Sequence, residues 1–314
     1  MTTLLVAKQY LKLFYSKYEI YITPLMKFML ALISLLLINA NLGYMNSINK
    51  LAIVLIAALM CSFMPTNFIV IMAALFALLH MYAFSLECAV VVGGVFLLMF
   101  LLYFRFSPKD TAVVVLTPLC FLLKIPYVIP ISMGLIGTPA SAVSVACGVI
   151  SYYMISYVNK NATVISSAAA EETAAKFKLI IDGILGNKEM IVTIVAFAVT
   201  IVLVYMIRRM SVDYAWTIAM VVGAIVNIMV LLIGDLMFDI NVSLLSAIVG
   251  TIFSFLLTLI LQFFVFHVDY MRAEKVQFED DEYYYYVKAV PKVTVTRPEK
   301  KVTHIAGQNK IRKS

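Results

Sequence analysis

VVVLTPLCFLLKIPYVIPISMGLIG, residues 113–137, is apolar enough for lipid, yet it carries Pro118, Pro126, Pro130 and one lysine, Lys124. A bilayer core of roughly 30 Å asks for about 20 apolar residues per helix, and neither half of this stretch reaches about 17 without interruption. Each proline removes a helical N–H and disfavours helix in the residue before it. Irregular backbone at membrane depth has to be sheltered by protein or water. The segment 111–137 therefore reads as a broken, re-entrant hairpin or as two short, kinked crossings. Either version leaves the rest of the chain with the same parity.

The flanks decide the solvent. The chain has 314 residues, 63% of them hydrophobic and only 13% charged. Ordinary globular domains run to roughly 45–50% apolar and about 25% charged residues. A water-soluble fold of this sequence would lack polar surface. Apolar segments run from about Pro24 to Tyr44 and over 51–64, 67–84 and 88–104, then 139–158, 189–207, 212–233 and 242–267. The expected fold class is an all-α polytopic membrane protein with about eight transmembrane helices plus the proline-broken hairpin. Residues 23–268 would form the bundle and 269–314 a cytoplasmic tail.

Residues 1–22 place Lys8, Lys12 and Glu19 at helical spacing, with Leu4, Leu11, Phe14 and Tyr18 on another face. That pattern suits a helix resting in the membrane interface, or one packed on the protein's own cytoplasmic face. No small-residue cleavage site follows a short apolar core, so insertion is expected to start with a retained span. Lys8, Lys12, Lys17, Lys27, Arg105, Lys109, Arg208 and Arg209 fall on one side, together with the ten Lys/Arg from residue 268 onward. By the positive-inside rule both termini are cytoplasmic, and a bacterial cytoplasmic membrane is the expected location. Lys160, Lys176, Lys178 and Lys188 in the outer 159–188 loop run against the rule. In that loop Ala170, Ala174, Phe177, Ile181 and Ile184 recur at three- and four-residue steps, predicting an amphipathic helix started near Ser166 or Ser167 and ended by Gly186.

The net charge of +7 is spread over chain ends and loops, which excludes a nucleic-acid groove. Cys61, Cys88, Cys120 and Cys147 lie in or at the ends of apolar segments without CxxC spacing, so no disulfide framework or zinc site is expected. No HExxH, GxSxG, Gly-rich phosphate loop or metal-spaced cluster is present. The expectation is a protein that is not an enzyme, with no cofactor and no metal. Polar groups within spans are costly and default to functional candidates. They are Lys124, His80 and Asn227 as a substrate pathway, set against a snorkelling lysine and a histidine bonded to a neighbouring helix. Gly137, Ser141, Ser144, Gly148 and Ser151 step by four, three, four and three, which predicts a helix-packing seam.

The tail carries EDDEYYYYVKAVPKVTVT, residues 279–296. In an extended chain Tyr283, Tyr285, Val287, Val293 and Val295 point one way, and Pro291 restricts any strand over 283–296 to an edge. Strand addition to a partner's sheet fits that geometry, as does a strand folded back on the chain itself. Two functions follow. One is a non-catalytic membrane scaffold or anchor that docks a cytoplasmic protein through this tail, with self-association open. The alternative is a transporter or channel subunit using 111–137 as its pathway.

Overall fold

The computed structural model describes residues 2–167, 173–240, 243–265 and 274–289. Twelve helices occur in the described residues: α1 Thr2–Leu42, α2 Leu51–Phe63, α3 Asn67–Phe84, α4 Leu86–Phe106, α5 Thr111–Leu122, α6 Val128–Ile136, α7 Ser141–Lys160, α8 Ala162–Ser167, α9 Thr173–Leu185, α10 Lys188–Arg208, α11 Ala215–Phe238 and α12 Leu244–Val265. Strands β1, Glu274–Glu279, and β2, Tyr284–Ala289, follow as an antiparallel pair. Seven helices are long and apolar enough to cross a membrane, so the chain is a multi-pass, all-α membrane protein. The expected span over 51–64 is realised as α2, with 13 residues. At 1.5 Å per residue it extends about 20 Å, short of the hydrocarbon thickness.

α1 consists of two helical stretches that meet at Tyr18, whose φ of −114° and ψ of 19° interrupt the helix. The break comes four residues before the boundary expected at 22. Tyr10, Leu11, Phe14 and Tyr15 in the first stretch are all exposed. Lys8 donates to the Phe263 carbonyl and stands 5.2 Å over the Phe263 ring, bringing the start of α1 to the end of α12.

α5 and α7 run through the middle, with α1–α4 on one side and α6, α10, α11 and α12 on the other. The two central helices touch backbone to side chain at Gly148. A Cβ placed there would stand 2.5 Å from Thr117 Cβ and 3.0 Å from the Val114 carbonyl oxygen. α6 approaches α10 in the same way, Gly134 lying under Val204. Small residues let helices approach this closely, and in lipid that packing is a main source of association.

The five small residues expected on one helix face are divided between two helices. Gly137 follows the last residue of α6, and Thr138 and Pro139 separate it from α7. Ser141 opens α7, its hydroxyl accepting the Thr138 N–H at 3.2 Å. Ser144 meets the Ser107 hydroxyl at 2.5 Å, tying α7 to the end of α4. Ser151 turns back to the Cys147 carbonyl at 2.8 Å and lines a cavity rather than a contact.

The loop helix expected over 159–188 is α9, and its buried side matches the expected one only in part, with Ile184 buried and Phe177 half-buried. Lys176, Ile180 and Ile184 are buried, while Ala174 and Ile181 are exposed. Lys176 Nζ sits 3.3 Å from Glu87 Oε2 at the start of α4, an ion pair that links α9 to α4. Ala170 lies outside the described residues, and Ser166 and Ser167 end α8 rather than starting α9.

Replacing Gly148 by Val forces a branched side chain into the α5–α7 contact. Overpacking of this kind costs about 1–3 kcal/mol, so Gly148→Val is expected to lower the detergent-solubilised unfolding temperature. Gly94 has nothing within 4 Å of an added Cβ, and Gly94→Ala is expected to leave it unchanged or raised.

Candidate functional site

α5 stops because the chain takes a left-handed residue. Lys124 has φ 60°. Its N–H bonds the Phe121 carbonyl at 3.1 Å, while the Ile125 N–H bonds the Cys120 carbonyl at 2.9 Å. These two bonds are the paired closure of a Schellman motif, with Lys124 in the position that glycine usually takes. Pro126 follows and cannot extend the helix. Pro130 sits in the first turn of α6, where a missing N–H has no partner to lose. Pro118 lies inside α5 without ending it.

Both arms open at the same end of the bundle. At the start of α5, Thr111 donates to Asn67 Oδ1 at the start of α3, and Tyr103 Oη, near the end of α4, donates to the same oxygen at 3.2 Å. At the end of α6, Arg208 donates to the Leu135 carbonyl and, at 2.8 Å, to the Gly137 carbonyl. A helix end leaves such carbonyls without intrahelical donors, and the guanidinium, stacked 5.9 Å over Trp216, supplies them. The segment 111–137 is thus two short helices, α5 and α6, joined by the turn at Leu123–Tyr127.

Its tip borders a cleft of about 290 Å³. Lys124, Tyr127, Tyr153, Glu189, Thr193 and Ser246 line it, so a cation and a carboxylate share one cleft with phenols and hydroxyls. Tyr153 Oη donates to Glu189 Oε1 at 3.1 Å and lies 3.2 Å from Thr193 Oγ1. Phe121 stacks on Tyr152 at 4.5 Å with a 16° interplanar angle, and Tyr152 also lines an apolar cavity on the other side of α5. Of the residues expected to form a pathway, only Lys124 is here. Glu189 went unnoticed in the sequence because it stands at a helix start, in a loop rich in charge.

His80 and Asn227 are elsewhere, and neither lines the two cavities. His80 is fully buried. Its Nδ1 accepts the Met45 N–H at 3.1 Å, so Nε2 carries the proton donated to Asn39 Oδ1 at 2.8 Å. Asn39 in turn donates to the Ile48 carbonyl at 2.9 Å. The ring is a fastener between α3 and the α1–α2 connection. Asn227, in the middle of α11, is fully buried, and neither its amide oxygen nor its nitrogen has a partner among the described residues. Among the described residues no group of three or more His, Cys, Asp or Glu is placed to hold a metal ion.

The tail supplies a second candidate. Tyr284–Ala289 pairs with Glu274–Glu279 in the register Phe278 to Tyr285 and Val276 to Val287. Alternation puts Val276, Phe278, Tyr285 and Val287 on one face. All four side chains are exposed. Phe278 and Tyr285 stack at 4.9 Å, and Tyr283 adjoins Tyr285 at 6.3 Å. The acids make the turn: Asp280 Oδ1 accepts the N–H groups of Glu282 and Tyr283 at 2.9 and 2.7 Å, and Oδ2 accepts the Tyr285 hydroxyl at 2.8 Å. These bonds, led by the Glu282 N–H, hold the Asp280 carboxyl below its ordinary range, and the same contact raises the Tyr285 phenol. Val293 and Val295, expected on the docking face, lie outside the described residues, so the strand described ends at Ala289 and not at 296.

Comparison with protein-family models, with curated proteins and with solved structures finds no match to this chain. Function has to be argued from geometry alone.

The turn separates the backbone role of Lys124 from its charge. Lys124→Gly is expected to hold or raise the unfolding temperature, since glycine enters the left-handed region without the roughly 1–2 kcal/mol cost of a side chain. Lys124→Val is expected to lower it, because a branched residue at that φ adds strain of about 1–3 kcal/mol. Thermal unfolding in detergent reads both.

Proposed function

We propose that this chain is a non-catalytic, multi-pass membrane anchor or scaffold that docks a cytoplasmic protein through its C-terminal hairpin. The observation that carries the reading is the one-sided apolar face of Val276, Phe278, Tyr285 and Val287, placed just beyond the last membrane helix. An isolated two-stranded hairpin is marginal in water and needs a further layer on its apolar face. A partner protein provides that layer, and among the described residues neither strand pairs with a third, which suits backbone pairing to a partner.

In this reading both termini face the cytoplasm of a bacterial cell. The meeting of Lys8 with the end of α12 is in keeping with that arrangement, as is the placing of Arg105, Arg208 and Arg209 at helix ends. The first stretch of α1 lies in the interface, and the α5–α6 hairpin is re-entrant from the cytoplasmic side.

A second reading, a transporter or channel subunit, is favoured by the cleft that joins Lys124 to Glu189 at the hairpin tip. Breaks in membrane helices mark many solute sites. Lys124→Gly removes the ammonium and keeps the turn, so unchanged solute flux in liposomes carrying this variant argues against that reading.

The docking proposal is tested by in-cell crosslinking of the full chain followed by mass spectrometry. Val276→Ser combined with Val287→Ser is expected to reduce crosslinks between 274–289 and cytoplasmic proteins by about tenfold or more, given the apolar area removed. Membrane insertion and the unfolding temperature of the bundle should not change. Crosslinks that join two copies of this chain, or that join the hairpin to its own loops, would overturn the partner assignment.

A further inference from the structure

The apolar cavity beside α5 has properties that the docking reading does not use. It encloses about 230 Å³ between α1, α3, α4, α5 and α7. A dry, aliphatic cavity of about 150 Å³ already admits benzene. The deep wall is formed by Ala74, Ala77, Phe96, Met99, Val115 and Leu119. Hydroxyls that reach this wall are already engaged: Ser34 donates to the Ala31 carbonyl at 2.8 Å and Ser151 to the Cys147 carbonyl at 2.8 Å. Nothing polar in the interior calls for a polar ligand atom.

The other end is different. Ser156, Asn159 and Lys160 in the last turn of α7, with Asn41 near the end of α1, make a polar mouth. Asn159 and Lys160 are exposed. Lys160 is the single charged residue in the lining, and among the described residues no carboxylate pairs with it. An uncharged, chain-sized interior under a lone cation is complementary to one kind of molecule.

We propose that this cavity binds an anionic single-chain amphiphile, its acyl chain between α3 and α5 and its carboxylate at Lys160. The chain displaces no internal hydrogen bond. The head group gains a charge-assisted contact at the edge of the membrane, where the lysine keeps its solvation. A lysine in the last turn of a helix also offsets the helix dipole, so the test has to separate that role from ligand recognition.

The probe is a diazirine-bearing palmitate, compared with the corresponding neutral alcohol, on the full chain in phosphatidylcholine nanodiscs. Photoadducts are expected on the peptides carrying Ala74 and Val115, saturating with probe and displaced by unlabelled oleate. Ala74→Leu fills the pocket and should remove most of these adducts. Lys160→Gln should weaken labelling by the carboxylate about fivefold, the scale of one exposed ion pair, and leave labelling by the alcohol unchanged. Adducts that rise linearly, resist oleate or fall only on outward residues such as Ile71 and Leu75 would overturn the site. Equal effects of Lys160→Gln on the two probes would overturn its anionic character. Displacement by oleate is read on the unaltered chain, so the site stays testable even if Ala74→Leu fails to fold.

Discussion

A chain that turns inside an apolar bundle has to satisfy its backbone polar groups without water. That constraint falls on Leu123–Tyr127, and much of the surrounding architecture answers it. The Lys124 and Ile125 N–H groups return to α5. The far end of the hairpin has its carbonyls bonded by Arg208. α5 is free to lie against α7 because Gly148 admits Thr117 and the Val114 carbonyl at close range. The two cavities then follow: a helix of 12 residues cannot fill the space that a full span would occupy, and room is left on both of its sides.

The same hairpin explains why charge is found where it is. Lys124 closes α5 through its left-handed backbone and also lines the cleft. Lys176 on α9 is paired with Glu87 at the start of α4. His80 has both ring nitrogens engaged between helices. Each polar group inside or beside the bundle therefore has to be judged by its partners, since type and depth alone do not separate a fastener from a ligand group. Asn227, with Ser132 and Ser254, is buried without a side-chain partner among the described residues, and the hydrogen bonding leaves these three unexplained.

Much of this was legible in the residues. The membrane class followed from composition, and the break in 111–137 from its prolines and length. The prolines did not act alike, however. Pro118 stays within a helix and Pro130 begins one, and the turn itself is made by Lys124, whose left-handed backbone has no sequence signature outside glycine and asparagine. The seam lost Gly137 because Thr138 and Pro139 break the chain before α7 begins, and a count of small residues ignores that break. In the tail, the alternation of Tyr285 and Val287 was visible, but its partner strand went unread. Val276 and Phe278 alternate equally well, and the three acids between the strands resemble a solvated linker until Asp280 is seen accepting the bonds of the turn.

The central claim is that the chain enters the bundle after α4 and turns back to the same end before α7. Single cysteines at Lys109, Thr138 and Asn187, in a chain whose four native cysteines are replaced by alanine, test it with membrane-impermeant maleimide in oriented vesicles. Lys109→Cys and Thr138→Cys are expected to label from one side, with Asn187→Cys labelling from the other. Labelling of Lys109→Cys and Thr138→Cys from opposite sides would mean that 111–137 passes straight through, and would contradict the account.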